Sequence, residues 1–419
     1  MKFMRRTYRD LFFLLLTMLV LSINFDVVKA QTPEIDCSKL IDDAAINACD
    51  QELIRNPKNA RALHSRGLLW FNKGDKDRAI SDYNLAIRLN PKFAIVYNSR
   101  GLAWHAKDEK ERAIEDYNEA IRLNPLLSIA YYNRGATWSD KGDKDSALAD
   151  YNEAIRLNPK FYNAYYNRGL TWANKDQKYS AIKDYNEAIN LNPEFVNAYY
   201  NRGVLLYAIG DKDSAISDYN HILRLDPKFI NAYLNRGVAW SDKGDRDRAI
   251  ADYNEVIRLN PQYALPYYNR GNEWSDKGDR DRAIADYNEA IRLNPHYSKA
   301  YMSRGLAWFY KGDKDLALAD YNQAIHLNPK DAIVYLNRGA TWSEKGDKDR
   351  AIADYNEAIR LNPQLLNAYY NRGNAFESID DLYQALNDYR IFALFNPNDT
   401  DGHSAIKRIE NKIESKNDK

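Results

Sequence analysis

Proline recurs every 34 residues along most of this chain, and this spacing constrains the fold more than any other feature. Glycine (Gly67 to Gly373), alanine (Ala79 to Ala385) and tyrosine (Tyr83 to Tyr389) each form a series of ten members with the same period. Such self-similarity predicts stacked identical units, not the two or three globular domains that 419 residues would otherwise suggest. The prolines are Pro57, Pro91, Pro125, Pro159, Pro193, Pro227, Pro261, Pro295, Pro329, Pro363 and Pro397.

Each unit has the pattern of two amphipathic helices. Counting positions 1 to 34 from Ala60, apolar residues at positions 4, 8 and 11 and then at 20, 21, 24, 27 and 28 follow the helical period. The Asp at position 16, as in Asp75, Asp143 and Asp245, is suited to cap the second helix. Proline at position 32 cannot continue that helix. The sequence therefore predicts a series of antiparallel helical hairpins.

Gly at position 8, Ala at 20, an aromatic residue at 24 and Pro at 32 resemble the tetratricopeptide repeat. The resemblance implies an all-α, right-handed superhelical solenoid of ten helix–turn–helix repeats, with a concave groove lined by the first helices. This chain departs from the family in having Tyr at position 4, Trp at 11 and Arg at 7. The predicted repeats, numbered 1 to 10, are residues 60–93, 94–127, 128–161, 162–195, 196–229, 230–263, 264–297, 298–331, 332–365 and 366–399.

The first thirty residues have the layout of a cleavable secretory signal. Four basic residues precede an apolar run at 11–23, and Val28-Lys29-Ala30 offers small residues before a cut. Thirteen apolar residues are fewer than the ~20 that a membrane-spanning helix needs. We expect export to the periplasm or the extracellular space; the alternative is an uncleaved signal that anchors the chain to a membrane. The basic residues are Lys2, Arg5, Arg6 and Arg9.

Both ends of the array are expected to carry caps. Residues 31–59 supply half a repeat, with Ala45 and Cys49 at the places of positions 20 and 24, and residues 400–419 supply a polar capping helix and tail. The two cysteines, Cys37 and Cys49, are predicted to form a disulfide in an oxidising compartment, with two buried thiols as the alternative. Six scattered histidines and no further cysteine assemble no zinc site, so no metal and no cofactor are expected.

Arg at position 7 and Asp at position 23 occur in all ten repeats. Contacting positions of an antiparallel hairpin sum to a near-constant value, so that 8 meets 24, 11 meets 20 and 7 meets 23. We predict a partly buried Arg–Asp pair within each hairpin or with the preceding one. The alternative is a basic stripe for nucleic acid, which a net charge of +1 does not favour. The aromatic residues at positions 4, 11 and 24 are predicted to form the core.

The first helices vary at positions 2, 5, 9, 12 and 13, as a binding surface on a constant scaffold would, although drift of exposed residues is the alternative. Position 6 is usually Asn, and an amide matches the donor and acceptor of a peptide main chain. This pattern resembles the asparagine ladder of some long tetratricopeptide superhelices; a purely structural role is the alternative. The predicted peptide-binding residues are Asn133, Asn167, Asn201, Asn235, Asn269, Asn337 and Asn371, with Tyr132, Tyr166, Tyr200, Tyr268 and Tyr370 beside them at position 5.

These features favour an exported, non-enzymatic scaffold that binds proteins or extended peptide segments. A glycan-binding accessory protein of polysaccharide export is the alternative, because Tyr and Asn also suit sugars. The chain contains no Gly-x-Ser-x-Gly, no phosphate-binding Gly-Lys-Ser/Thr loop and no Cys/His pair poised for nucleophilic work, so catalysis is not expected. Nucleic acid is not an expected partner, and a membrane is one only through a retained signal.

The predicted disulfide has a direct test. If Cys37 and Cys49 are joined, the intact mass of the exported chain should rise by two hydrogen atoms on reduction. Alkylation of both cysteines before any reductant is added would instead show two free thiols.

Overall fold

The computed structural model describes residues 43–417 as 22 α-helices. The chain divides into two compact units, residues 43–177 and residues 178–417 of the described part. The predicted signal segment and Cys37 lie outside the described residues. None of the helices within 43–417 combines the length and apolar character needed to cross a bilayer.

Helices of 13 or 14 residues alternate with short turns in both units. The first unit contains α1 (Asp43–Arg55), α2 (Ala60–Asn72), α3 (Lys76–Leu89), α4 (Ala94–Ala106), α5 (Lys110–Leu123), α6 (Ser128–Asp140), α7 (Lys144–Leu157) and α8 (Tyr162–Asn174). The second unit contains α9 (Lys178–Leu191), α10 (Val196–Ile209), α11 (Lys212–Leu225), α12 (Ile230–Asp242), α13 (Arg246–Leu259), α14 (Ala264–Asp276), α15 (Arg280–Leu293), α16 (Ser298–Lys311), α17 (Lys314–Leu327), α18 (Ala332–Glu344), α19 (Lys348–Leu361), α20 (Leu366–Ser378), α21 (Leu382–Phe395) and α22 (Thr400–Asn417). From α2 to α20 the even-numbered helices are the first helices of the repeats.

Turn chemistry sets the helix ends. Asp143 caps α7, because its carboxylate accepts a hydrogen bond from the main-chain nitrogen of Ser146 at 3.0 Å. Gly142 before it has φ +84°, a left-handed conformation that glycine adopts without strain. After α7, the side chain of Asn158 accepts from the nitrogen of Lys160, which fixes the Asn-Pro turn. The predicted caps at position 16 are therefore confirmed.

Glycine at position 8 lets the two helices of a repeat approach closely. A Cβ atom built on Gly237 would lie 2.7 Å from Cε1 of Tyr253, the ring at position 24. That ring is 1% exposed, and Ala249 at position 20 is fully buried beside it. In this repeat and in eight others the core contains a glycine, an alanine and a tyrosine, as the sequence predicted.

The rings at positions 4 and 11 are mostly half-buried, so the prediction that they form the core with position 24 was wrong in part. The guanidinium carbon of Arg134 lies 5.6 Å from the centre of the Tyr131 ring. That of Arg282 lies 3.6 Å from the centre of the Trp274 ring. Each guanidinium lies over one face of an aromatic ring. The Arg282 side chain is 58% exposed, whereas that of Arg134 is 21% exposed.

The arginine at position 7 holds three acceptors. In repeat 3, Nε and Nη2 of Arg134 donate to the two oxygens of Asp150 at 2.8 and 2.7 Å, and Nη1 donates to Oδ1 of Asn118 in the preceding repeat at 2.6 Å. Hydrogen bonding to Asp150 raises the pKa of the Arg134 guanidinium. We call this set of hydrogen bonds the arginine fork. Its contact with one aspartate also joins Arg66 to Asp82, Arg100 to Asp116, Arg202 to Asp218, Arg236 to Asp252, Arg270 to Asp286, Arg304 to Asp320, Arg338 to Asp354 and Arg372 to Asp388. The predicted Arg–Asp pair is confirmed in these nine hairpins.

Both predicted caps are attached through hydrogen bonds of an arginine, as neighbouring repeats are, but with a carboxylate as the acceptor. On α1, Asp50 takes the place of the amide acceptor and binds Nη1 of Arg66 at 2.7 Å. At the other end, Arg390 donates to Glu410 of α22 at 2.7 Å. Hydrogen bonds from Arg408 and Lys412 on α22 lower the pKa of Glu377 to about 2. The capping helix is therefore confirmed.

The fork predicts an uneven cost of arginine replacement. Arg134→Leu leaves the Asp150 carboxylate, whose side chain is 8% exposed, without its partner, and should lower the free energy of unfolding by about 3–5 kcal/mol. Arg156→Leu in the same repeat removes a 65% exposed guanidinium paired with Glu153 and should leave the free energy of unfolding nearly unchanged, because water screens this pair. Urea titration followed by circular dichroism compares the two. Equal loss in both variants would contradict the structural role of the fork.

Candidate functional site

Positions 2, 5, 6, 9, 12 and 13 of the first helices form a surface that we call the first-helix face, taken separately in each unit. Successive first helices contact one another, as α4 and α6 do in the first unit and α16 and α18 in the second. Exposure along this face increases toward position 13, where the Asp276 side chain is 63% and Tyr310 is 61% exposed. The face is thus accessible mainly near the turns.

The side-chain amides of three of the predicted asparagines form hydrogen bonds with residues of the preceding repeat. The amide nitrogen of Asn133 donates to Oδ1 of Asn98 at 3.0 Å. Those of Asn167 and Asn235 donate to the hydroxyl oxygens of Tyr132 and Tyr200 at 2.9 and 3.2 Å. In each case position 6 of one repeat bonds to position 5 of the repeat before it. These amides therefore join first helices to each other.

The other four asparagines differ in burial. Asn201 and Asn269 are buried. Asn337 and Asn371 are half-buried, and their side-chain amides have no hydrogen-bond partner among residues 178–417. The reason lies one repeat earlier, where position 5 is Met302 or Leu336 and offers no oxygen or nitrogen acceptor. Two adjacent first helices, α18 and α20, thus each present an uncommitted amide.

The predicted tyrosines at position 5 pack inside their repeats. The Tyr132 ring lies 4.8 Å from that of Phe161 and 6.0 Å from that of Tyr151, between centres. Burial raises the pKa of Tyr132 to about 12. Tyr200, Tyr268 and Tyr370 contact two aromatic rings each in the same manner, and Tyr166 is half-buried. Peptide binding by these tyrosines stays a prediction.

Asparagine at position 25 is a structural residue that the sequence analysis missed. It accepts the third hydrogen bond of the arginine fork in nine repeats: Asn84, Asn118, Asn152, Asn186, Asn220, Asn254, Asn288, Asn322 and Asn356. The signal was present, because the same residue follows Tyr at position 24 in nine consecutive repeats and is absent from the tenth.

Surface depressions occur along the turns. One of about 490 Å³ is lined by Lys243, Gly244, Asp245, Arg246, Asp247 and Lys277. Its lysines are paired with carboxylates, Lys243 with Asp213 and Lys277 with Asp247. In the described part of the chain no three His, Cys, Asp or Glu side chains come together as a metal site would require.

Sequence profiles described as tetratricopeptide repeat or TPR repeat match residues 60–93, 94–125, 128–161, 179–210, 196–229, 241–272, 268–332 and 343–379. Together they cover more than half of the chain. This protein therefore belongs to the tetratricopeptide repeat family.

Among solved structures, the chain is similar to MamA, with 28% identity and a TM-score of 0.37 over 39% of this chain and 95% of that one. It is similar to YrrB, described as a TPR protein with an unusual peptide-binding site, with 23% identity and a TM-score of 0.38 over 44% and 95%. It is also similar to a tetratricopeptide repeat protein of Parabacteroides merdae, with 21% identity and a TM-score of 0.47 over 59% and 98%. No curated protein sequence matches it.

The two classes of asparagine should differ in their contribution to stability. Asn167→Ala removes the partner of the Tyr132 hydroxyl between two repeats and should lower the free energy of unfolding by about 1–2 kcal/mol. Asn337→Ala removes an amide without such a partner and should change it by less than ~0.5 kcal/mol. Thermal unfolding of both variants gives the comparison. A larger loss in Asn337→Ala would show that the assignment is reversed.

Proposed function

We propose that this protein is an exported, non-enzymatic scaffold that binds extended polypeptide segments on its first-helix face. Membership of the tetratricopeptide repeat family, whose members bind proteins or peptides, supports the general class. The basic and apolar start of the chain supports export. The observation that carries the binding site is the pair of uncommitted amides, Asn337 and Asn371.

The spacing of this pair suits a peptide main chain. Packed helices stand about 8–10 Å apart, and an extended chain advances about 3.3 Å per residue, so successive first helices meet every third residue. An amide offers a donor and an acceptor to one peptide unit. Asn337 and Asn371, on neighbouring helices, can therefore hold two peptide units of one extended segment.

The side chains around the two amides would contact the residues between those units. Leu306 and Ala340 occupy position 9 of repeats 8 and 9 and are half-buried. Four net hydrogen bonds contribute about 2–6 kcal/mol before the cost of ordering the peptide is subtracted. Affinity from the amides alone is therefore weak, and selectivity must come from side chains of the first-helix face.

The packing of the tyrosines favours a peptide over a glycan. Sugar rings stack on an exposed aromatic face, whereas Tyr268 packs against Tyr287 and Tyr297 and Tyr370 against Tyr389 and Phe392. The amides need no exposed ring. Glycan binding is retained as an outcome of the experiment.

The test is selection of 12-residue peptides from a randomised display library by the chain lacking residues 1–30. Peptides that it enriches should bind Asn337→Ala/Asn371→Ala at least about tenfold more weakly, because two donor–acceptor pairs are lost. Asn387→Ala, an exposed amide on the second helix of repeat 10, is the matched control and should bind as the parent chain does.

Two results would contradict the proposal. Undiminished binding by the double variant would remove the amides from the site. Enrichment of no peptide, together with retention on a glycan array, would replace a peptide by a glycan as the ligand.

A further inference from the structure

At three places along the turns of the second unit, a cation at position 17 of one repeat contacts the next repeat. Lys212 donates to the main-chain oxygen of Asp242 at 2.9 Å and lies 3.5 Å from its carboxylate. Lys314 contacts Glu344 in the same two ways, at 3.1 and 3.2 Å. In these joints the acid occupies position 13 of the following repeat, at the end of its first helix.

Arginine takes the same role between repeats 6 and 7. Nη2 of Arg246 lies 3.3 Å from Oδ2 of Asp276, which is again at position 13. Three joints of the second unit therefore satisfy the cation at position 17 with a carboxylate supplied by the chain itself.

The joint between repeats 7 and 8 breaks this pattern. Position 17 is Arg280, but position 13 of repeat 8 is Tyr310, and the guanidinium carbon lies 5.3 Å from the centre of the tyrosine ring. Within residues 178–417 the Arg280 head group makes no hydrogen bond and no ion pair. It is a half-buried cation stacked on an exposed ring.

Neighbouring carboxylates are already paired with other cations. Asp276 binds Arg246, and Asp279 accepts from Nε of Arg282 at 2.6 Å. Asp281 pairs with Lys311 of the next repeat. Each of these three carboxylates therefore has another cation as its partner, and none of them pairs with Arg280.

Aromatic and apolar side chains lie on the part of repeat 8 that carries Tyr310. Tyr310 is 61% exposed, and its ring meets the Phe309 ring edge to face with centres 5.5 Å apart. Leu316, 43% exposed, occupies position 19, where Arg248 and Arg282 cover tryptophan rings in repeats 6 and 7. Repeat 8 thus carries Tyr at position 13 and Leu at position 19, and its Tyr310 lies beside an unpaired guanidinium.

We propose that Arg280, Tyr310 and Phe309 bind an acidic side chain of an extended peptide, with an apolar residue next to it. The planar guanidinium stacks on Tyr310 and can donate two parallel hydrogen bonds to one carboxylate, a geometry that an ammonium group does not offer. The apolar neighbour of the acid packs on Phe309 and Leu316. This inference rests on the proposed function, since it assigns part of the selectivity of the first-helix face.

The probe is an array of nonapeptides that are acetylated and amidated at their ends. Each peptide with a central Glu or Asp is matched by one with Gln or Asn at the same place, and the residues beside it are Leu, Phe or Ser. The parent chain should bind the acidic members with apolar flanks about tenfold more tightly than their amide counterparts, as one charge-assisted pair allows. A free C-terminal carboxylate on a neutral peptide is a separate arm and should not substitute for the acidic side chain.

Two variants should abolish the preference for the acid. Arg280→Gln removes the cation. Tyr310→Asp places at position 13 the residue that Asp242 and Asp276 provide in repeats 6 and 7, so that Arg280 is paired within the chain and the fold is retained. Arg282→Gln, which removes an equal charge two residues away over Trp274, is the matched control and should keep the preference.

The outcomes separate the two proposals. If acidic and amide peptides bind the parent chain equally, or if Arg280→Gln and Tyr310→Asp keep the preference, the site at Arg280 is overturned while peptide binding stands. Retention of the neutral peptide with a free C-terminus, equal to that of the acidic members, would assign the site to a terminal carboxylate and overturn the acidic side chain. If no peptide of the array binds, both proposals fail.

Discussion

In eight of the ten repeats the arginine at position 7 makes hydrogen bonds in two repeats at once, and the remaining structure depends on that double attachment. Two of its nitrogens hold the aspartate of the second helix in its own hairpin, and the third holds an asparagine of the hairpin before it, as Arg134 holds Asp150 and Asn118. A partly buried cation without these acceptors would be costly. The fork therefore aligns the two helices of a repeat and the stacking of neighbours by the same set of hydrogen bonds, and Gly237 and its equivalents permit the approach that the fork requires.

The sequence predicted the repeated features well because the chain contains its own replicates. The Arg–Asp pairing followed from the contact of Gly at position 8 with Tyr at position 24, one residue away on each helix. The asparagine at position 25 occurs in nine of the ten repeats, yet its role did not follow from the sequence, because it acts between repeats and the contact rule for one hairpin does not extend to the next. The rings at positions 4 and 11 were placed too deep, since an amphipathic pattern does not reveal that arginine and lysine side chains cover an aromatic face near water.

The candidate site was harder to predict, because a residue of the preceding repeat decides whether the amide of each asparagine has a hydrogen-bond partner. Asn167 and Asn337 are the same residue at the same position, but Tyr132 binds the amide of the first, and Met302, at the equivalent place, leaves the second unpartnered. Arg280 and Arg246 differ in the same way, through Tyr310 and Asp276. In both cases one substitution in a neighbouring helix frees a polar group that the other repeats keep occupied. Deviation from the repeat, more than the repeat itself, marks where a ligand can bind.

The exchange of asparagine for Arg390 at position 25 of the final repeat has a consequence for how such an array can change in length. Internal repeats supply both groups of this contact between repeats. Their arginine at position 7 donates to the preceding repeat, and their asparagine at position 25 accepts from the following arginine, so any of them can follow any other. Repeat 10 carries only the first of these groups, and its arginine at position 25 turns instead to Glu410 of the closing helix. Duplication or loss of whole internal repeats by recombination would leave a donor and an acceptor at every contact between repeats. A copy of the last repeat inserted elsewhere would instead place its arginine at position 25 next to the arginine at position 7 of the following repeat. The number of internal repeats can therefore change without loss of these hydrogen bonds, whereas the last repeat is suited only to its place before the closing helix.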